Sequence, residues 1–596
     1  MNEATQGTWR YNILFGVLVL AAGGLFLRMG LLVRGGGDEA LQKARRQQRM
    51  VVPLPGKPGT IYAQTRGSYV PLAASRQMPS CYLDPFILRD EEMAEVAVEL
   101  GDAVGLDPIQ LQEEIFKRRK KRFMWVARRM EPARADKVRQ VARKLKNPAV
   151  GFTYEWQREY PNGALAGQVV GFRLRDGRGG GGVELTLHDR ISALDGKRVM
   201  LADASRRPIW PLAAESRPPA DGCNVFLTID ALIQEALDDA VNEAAEKFDA
   251  RWATGIVMDP RTGDVLAMAS TPLFDPAKYP TTPAEARTNH AICQPYEPGS
   301  AFKPIMAAAA VDAGAVTYQT VIFCENGTYY ARKGGRISDH GHHYGDLTVE
   351  DIVVHSSNIG MAKVGEKLGN ARMYEIVRRF GFDQRTDIEL PGESAGIVRA
   401  LRKWDGYSLR RVPFGQEISV SALQLANAFC VLANGGVLMK PRLVSHITAP
   451  DGEVVWRSRP TALRRVLRPT TATQTVAAME QVVLRGTGKR CKLSRWTSFG
   501  KTGTAQIGQP GGYVDGAFTG TFVGGAPASD PRAICLVSVY WPDKSKGHYG
   551  ATVAAPYVKK VLEFTMTHLD VPPDKLPAGP AGRRMTRVAG LTHERN

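Results

Sequence analysis

Apolar positions divide the chain into an opening continuous stretch, a charged section with helical spacing, and a longer region where strand and helix periods alternate. Tyr11 to Val33 is apolar apart from Arg28, long enough to cross a bilayer as a helix, and Arg28 near its far end can reach an interface. Small residues at Ala21 to Gly24 also suit a signal-peptidase site, but the apolar run continues past them, which favours an anchor. A glycine-rich joint at Gly35 to Gly37 is expected to follow. Pro and Gly punctuation from Val51 to Ser75 predicts short strands and turns, and apolar spacing from about Asp90 to Lys146 predicts helices. From Cys223 the pattern changes. "NVFLTID" predicts a strand, "ALIQEALDDAVNEAAEK" an amphipathic helix, and "ATGIVMDPRTGDVLAMAS" two strands joined by a turn. "ALQLANAFCVLANGG" predicts a helix with a glycine stop, and "GTFVGGAPA" and "AICLVSVYW" predict neighbouring strands. The expected organisation is a tail at 1–10, a membrane span at 11–33, a pedestal at 34–220, a larger α/β domain at 221–570 with a sheet flanked by helices, and a mobile end at 571–596.

A length of 596 residues exceeds one ordinary core, in keeping with this division. Hydrophobic residues at 44% and charged residues at 23% exclude a largely disordered chain. The net charge of +18 suits an anionic partner without choosing among nucleic acid, acidic lipid and cell-wall polymer. "KRRKKR", Lys117 to Arg122, is a run of six cations; read without an accompanying aromatic platform, it is a solvated face with no assigned function. The glycine-rich stretch Arg175 to Glu184 and "RGTGKR" at Arg485 to Arg490 lack the order of residues that phosphate loops need, and both read as turns. Seven scattered cysteines without C-x-x-C spacing read as mostly buried thiols, with no zinc site.

The candidate chemistry starts at "EPGSAFKP", where Ser300 and Lys303 stand one turn apart as a Pro-Gly turn enters an alanine-rich helix. A serine hydroxyl becomes nucleophilic when a base takes its proton, and a lysine serves as that base when burial or a neighbouring cation lowers its pKa. An isolated S-x-x-K reads as a helix cap. Here it is followed in order by Ser356-Ser357-Asn358 in "HSSNIG" and by Lys501-Thr502-Gly503-Thr504 in "GKTGTAQ". That ordered set is the signature of penicillin-binding proteins and class A β-lactamases, and it points to acyl transfer.

Beyond this set, the chain resembles class B penicillin-binding proteins, membrane-anchored D,D-transpeptidases that crosslink peptidoglycan, almost from end to end. "REYPNGALAGQVVGF" and "GGGVELTL" are similar to the family's pedestal motifs, with Arg158, Tyr160, Pro161 and Glu184 at the characteristic positions; "LTID", "PYEPGSAFKP", "SSNIG" and "GKTGTAQ" are similar to its transpeptidase landmarks. The resemblance implies Ser300 as acylated nucleophile, Lys303 as its base, Ser356 as proton relay and Asn358 as holder of the donor peptide. It implies Lys501 as the cation that sets the local potential, Thr502 and Thr504 as contacts of the substrate carboxylate, Gly503 as the point of close approach, and the N–H groups of Ser300 and Thr504 as the oxyanion hole. The first pedestal motif departs from the family pattern, with Pro58 where an arginine and Ala63 where an aspartate are expected, while Gly59 and Ile61 match.

The resemblance further implies peptidoglycan stem peptides as substrates, β-lactams as ligands, and no metal or organic cofactor. Its partners would be a SEDS-family glycosyltransferase and other division proteins, since the pedestal motifs look most like the septal, FtsI-like branch. The place would be the inner membrane, single-pass, with the bulk periplasmic. Flanking charges argue the reverse orientation, because Arg10 precedes the span while Arg34, Lys43, Arg45, Arg46 and Arg49 follow it. The alternatives are an elongation-type transpeptidase, a D,D-carboxypeptidase or β-lactamase-like hydrolase, and a non-catalytic division scaffold. Two decoys compete. "GESAG" would make Ser394 a hydrolase nucleophile, but Pro391 breaks the strand that should feed the elbow. His340, His342 and His343 cluster without firm ligand spacing and read as a loop beside the site.

Overall fold

The computed structural model describes residues 5–203, 208–331, 335–339, 341–509 and 511–575. Its backbone divides into two compact units, one of Met1–Lys57, Met78–Trp156 and Ala193–Gly222, the other of Pro58–Gln77, Gln157–Ser192 and Cys223–Asn596. The continuous pedestal expected at 34–220 is thus interleaved, because strand Ile61–Thr65 pairs in parallel with Asn224–Asp230 and carries its segment into the larger unit.

In the smaller unit the opening helix runs Thr5–Gln48, and its apolar part, Trp9–Leu31, has mean hydropathy 2.0 with none of it buried. The expected joint at Gly35–Gly37 does not break it. Each glycine costs about 1 kcal/mol against alanine, and the helix formers from Glu39 to Ala44 carry the helix on. Strand Arg49–Leu54 then pairs antiparallel with Gly196–Ala202. A second module holds helices Asp90–Val104, Pro108–Lys117 and Pro132–Leu145 around buried Leu100, Ile115 and Val138. The second helix starts at Asp107, whose carboxylate accepts from the Ile109 N–H at 3.0 Å. This section is not wholly helical, since Met124–Ala127 is a strand in which Met124 and Val126 are buried and their neighbours half-buried, a period of two. Aromatic rings also accompany the cation run. The Arg119 and Arg122 guanidinium groups lie 4.7 and 4.6 Å from the Phe116 and Phe86 ring centres, and Phe123 stacks on Tyr82.

In the larger unit, β1 (Asn224–Asp230) leads into α1 (Ala231–Lys247), where the Asp230 carboxylate accepts from the N–H groups of Leu232 and Ile233 at 3.0 and 3.1 Å. The main sheet contains β2 (Trp252–Met258), β3 (Val265–Ser270), β4 (Phe499–Gln509), β5 (Gly512–Ala526) and β6 (Ala533–Tyr540), all antiparallel in the order β3-β2-β6-β5-β4. β2, β3 and most of β6 are buried on both faces because helices cover both. Along β2, Ala253 and Val257 join the cluster formed by Leu237 and Val241 of α1 and Val558 and Leu562 of the C-terminal helix Ala555–His568; Ile256 and Met258 join the other cluster. Helices Lys303–Asp312 and Ala422–Ala433 contribute Ile305, Leu423 and Phe429 to that second cluster. Gly255 lets α1 close on the sheet, since a Cβ there would meet Leu237 at 2.7 Å. β4 is left as an edge strand.

Just after the last helix, the first residues of the end expected from 571 pack against the larger unit. Val571 is buried and its carbonyl accepts from the Trp496 indole at 3.1 Å, and Asp574 accepts from the Thr497 N–H at 2.6 Å. Residues 576–596 lie outside the described residues.

Candidate active site

The turn bearing Ser300 is set by backbone contacts. Gly299, at φ 53°, opens a short 3-10 turn, and its N–H donates to the Gly415 carbonyl at 3.0 Å. A Cβ on Gly299 would meet the Thr504 carbonyl at 2.8 Å, and one on Gly503 the Pro298 carbonyl at 2.7 Å. The turn therefore lies directly on edge strand β4. Ser300 is half-buried at this contact, and Lys303 opens α2 (Lys303–Asp312) with Pro304 in its first turn, where its missing N–H costs nothing.

Lys303 is fully buried, and its amine meets three groups of the serine-asparagine segment: the Ser356 carbonyl, Ser356 Oγ at 3.1 Å and Asn358 Oδ1 at 2.8 Å. Lys501 reaches the same hydroxyl, with Nζ 2.9 Å from Ser356 Oγ. Ser356 ends α3 (Val349–His355) at φ 66°, ψ 37°, a left-handed conformation costing a non-glycine residue about 1–2 kcal/mol. That turn sends both its carbonyl and its hydroxyl toward the lysines. Ser357 then caps α4 (Asn358–Leu368), accepting from the Gly360 N–H at 2.9 Å.

Asp339 holds this segment, and the sequence reading missed it. It is buried, and its carboxylate accepts from Ser357 Oγ at 2.8 Å and from the N–H groups of Asn358 and Ile359 at 2.6 and 3.1 Å. An anion at a helix N-terminus is favoured by the dipole and the free N–H groups. Its only sequence signal was its place in "SDHGHH", read for histidines. Thr487, in the "RGTGKR" turn, was also missed; its hydroxyl lies 2.9 Å from that of Thr502. The Thr504 hydroxyl accepts from the Gly550 N–H at 3.2 Å, and Tyr513 donates to Glu297 at 3.0 Å, joining the β4–β5 hairpin to the residue before the Pro-Gly turn.

Burial pushes the Lys501 pKa down to about 7. Burial also drives that of Lys303 well below its ordinary value, the Lys501 charge lowers it further, and Asp339 opposes the fall. A neutral Lys303 has two N–H donors for the two pure acceptors, the Ser356 carbonyl and Asn358 Oδ1, and one lone pair left as a base.

The structure thus brings Ser300, Lys303, Ser356, Asn358, Lys501, Thr502, Gly503 and Thr504 to one place. Arg158, Tyr160 and Glu184 form a separate cluster. Glu184 is fully buried, takes a bond from Arg158 at 2.5 Å and lies 3.3 Å from Arg173, with the Tyr160 hydroxyl at 3.5 Å. Arg158 also donates to the Gly59 carbonyl at 2.6 Å, while Pro161 is exposed. Arg173 completes this cluster and was not picked out from the sequence. It is buried, and beside it the chain packs closely enough that a Cβ on Gly182, at φ 53°, would meet the Val169 carbonyl at 2.4 Å. Ala63, at the position of the family aspartate, is wholly buried. Of the decoys, the histidine loop borders the site, the His342 N–H donating to the Asp339 carbonyl at 3.1 Å. Ser394 sits in a loop, its hydroxyl accepting from the Gly396 N–H at 3.2 Å. His343 faces the Asn326 carbonyl and His342 stacks on Tyr344, while His340 lies outside the described residues.

An antiparallel sheet covered by helices on both faces, with two lysines meeting on a serine at its edge, defines a penicillin-binding transpeptidase domain. The model of the penicillin-binding protein transpeptidase domain matches residues 253–563, and that of the penicillin-binding protein dimerisation domain matches residues 53–227. A probable peptidoglycan D,D-transpeptidase PenA of Neisseria meningitidis is 31% identical over 88% of this chain and 86% of its own. The peptidoglycan D,D-transpeptidase FtsI of Escherichia coli is 28% identical over 96% and 94%. A solved structure of penicillin-binding protein 3 from Mycobacterium tuberculosis in complex with aztreonam superposes with a TM-score of 0.67 at 26% identity, covering 88% of this chain and 98% of that one. The chain belongs to the class B penicillin-binding proteins, the family of peptidoglycan D,D-transpeptidases.

Proposed function

We propose that this chain crosslinks peptidoglycan stem peptides through a Ser300 acyl-enzyme during septal wall synthesis. The observation that carries the reading is the meeting of two buried amines on the Ser356 hydroxyl beside the half-buried Ser300 turn. Neutral Lys303 takes the Ser300 proton, and the oxygen attacks the carbonyl of the penultimate D-alanine. The N–H groups of Ser300 and Thr504 receive the oxyanion. Ser356 passes a proton to the departing nitrogen, D-alanine leaves, and an acceptor amine then attacks the ester to form the crosslink and restore the hydroxyl. Asn358 holds the donor backbone, Lys501 keeps Lys303 neutral, and Thr502 and Thr504 meet the terminal carboxylate at the close approach allowed by Gly503. A β-lactam acylates the same oxygen. In the resting geometry the Lys303 contacts are to Ser356 and Asn358, so its lone pair turns to Ser300 as substrate enters; free-enzyme proton-transfer contacts commonly tighten this way.

The helix Trp9–Leu31 anchors the chain, with the catalytic unit on the periplasmic side where lipid-linked precursors are polymerised. A SEDS-family glycosyltransferase and other division proteins are its partners, and Arg158, Tyr160, Pro161 and Glu184 belong to the part of the chain that orders the region matched to the dimerisation domain. The alignment with FtsI over 96% of the chain supports the septal assignment.

The test is product analysis with nascent peptidoglycan and an acceptor amine. Crosslinked dimer together with released D-alanine, both lost in Ser300→Ala, is expected. D-alanine without dimer would make the chain a carboxypeptidase, and undiminished dimer from Ser300→Ala would refute the nucleophile. A fluorescent fusion gathering at the septum supports the branch, and uniform side-wall signal contradicts it.

A further inference from the structure

The cation run that the catalytic reading leaves unused forms a mixed surface with aromatic rings. Lys117 through Phe123 are all exposed. Among the described residues, ion pairs are seen at the start of the run: Lys117 lies 3.5 Å from both Glu113 and Glu114, and Arg118 lies 3.1 Å from Glu114. Arg119 and Arg122 rest over Phe116 and Phe86. Phe123 stacks on Tyr82 and meets Trp125 edge-on, and Arg128 lies over Trp125. Phe86, Phe116 and Phe123 are 58%, 55% and 48% exposed, a cost to solubility that a monomeric surface ordinarily avoids.

We infer that Lys117–Phe123, with Phe86 and Phe116, is a peripheral binding surface for anionic phospholipid. Cations beside half-exposed aromatic rings match the two layers of an anionic bilayer, head groups for the charges and the acyl boundary for the rings. A purely acidic ligand would engage the cations alone, whereas a bilayer also covers the exposed parts of the rings. The same compact unit contains the apolar helix Trp9–Leu31, so every copy carries this loop on a chain already tethered to a membrane, and the second contact forms at high effective concentration.

The test uses the full chain in nanodiscs of phosphatidylcholine alone or with about one third phosphatidylglycerol, read by hydrogen exchange over residues 116–123. Slower exchange in the anionic discs, reversed at about 0.5 M salt, is expected. Each cation at an anionic surface multiplies affinity about fivefold, so Lys120→Gln/Lys121→Gln/Arg122→Gln should weaken the contact about 100-fold and abolish the protection. Unchanged hydrogen exchange of that variant over the buried helices Asp90–Val104 and Pro132–Leu145 checks the fold of its module. Equal exchange in the two discs would overturn the proposal. So would protection by an acidic peptide in neutral discs without protection by anionic lipid, which would make the partner a protein.

Discussion

Replacing Asp339 separates positioning from chemistry, because this carboxylate touches the serine-asparagine segment and lies outside the lysine pair's own hydrogen bonds. Its three bonds hold Ser357 and the first two N–H groups of α4. Asp339→Ala leaves those N–H groups without their anion, and with charge-assisted bonds worth about 1.5–3 kcal/mol each, partly replaced by water, the net loss is about 2–4 kcal/mol. The segment that then loosens carries Ser356 and Asn358, which hold Lys303. Misplacing a catalytic group by about 1 Å costs on the order of 100-fold, so the second-order rate of acylation by a fluorescent penicillin should fall by about that factor in stopped-flow measurements. Asp339→Asn keeps the shape and removes the charge. Because Asp339 raises the Lys303 pKa, its neutralisation lowers that pKa further and moves the acid limb of the acylation profile to lower pH. An Ala variant with native acylation rate and native urea midpoint, or an Asn variant whose acid limb moves up, would refute the reasoning.

Lys501→Met removes the like charge that lowers the Lys303 pKa, so the acid limb of any residual acylation should move to higher pH. Lys501 also makes stability pH-dependent. Its folded pKa of about 7 lies below the ordinary 10.5, so between those values the unfolded chain holds the extra proton and stability rises with pH; urea midpoints should climb over this window more steeply in the native protein than in Lys501→Met. Glu184→Gln strips the counter-charge from Arg158 and Arg173, whose side chains are 8% and 7% exposed, and should cost about 3–5 kcal/mol in urea unfolding of the larger unit. Gly503→Ala drives a Cβ to 2.7 Å from the Pro298 carbonyl and should slow acylation by displacing the Ser300 turn, with a circular dichroism spectrum close to native.

Local periodicity made much of the larger unit legible. α1 and β1 coincide with "ALIQEALDDAVNEAAEK" and "NVFLTID", because capping by Asp230 and alternation in β1 are neighbour effects. The nucleophile, amine and asparagine candidates were legible for a different reason: each motif carries side chains whose chemistry is unusual enough to stand out at short range. Asp339, Arg173 and Thr487 were not, since each works through a partner many residues away, as Asp339 does with Asn358 and Thr487 with Thr502. The interleaving of the two units was hidden for the same reason. Parallel pairing of Ile61–Thr65 with β1 joins segments more than 150 residues apart, and no local pattern reports such a contact. The strand Met124–Ala127 escaped because four alternating residues inside a helical background carry too short a period.

The most direct measurement is peptide mapping of the adduct formed with a labelled penicillin, by mass spectrometry on the intact chain and then on its digest. A single adduct on the peptide containing Ser300, lost in Ser300→Ala and retained in Ser394→Ala, is the predicted result. An adduct on Ser394 or Ser356, or binding that leaves no covalent mass, would contradict the claim that Lys303 and Lys501 serve the residue 300 hydroxyl.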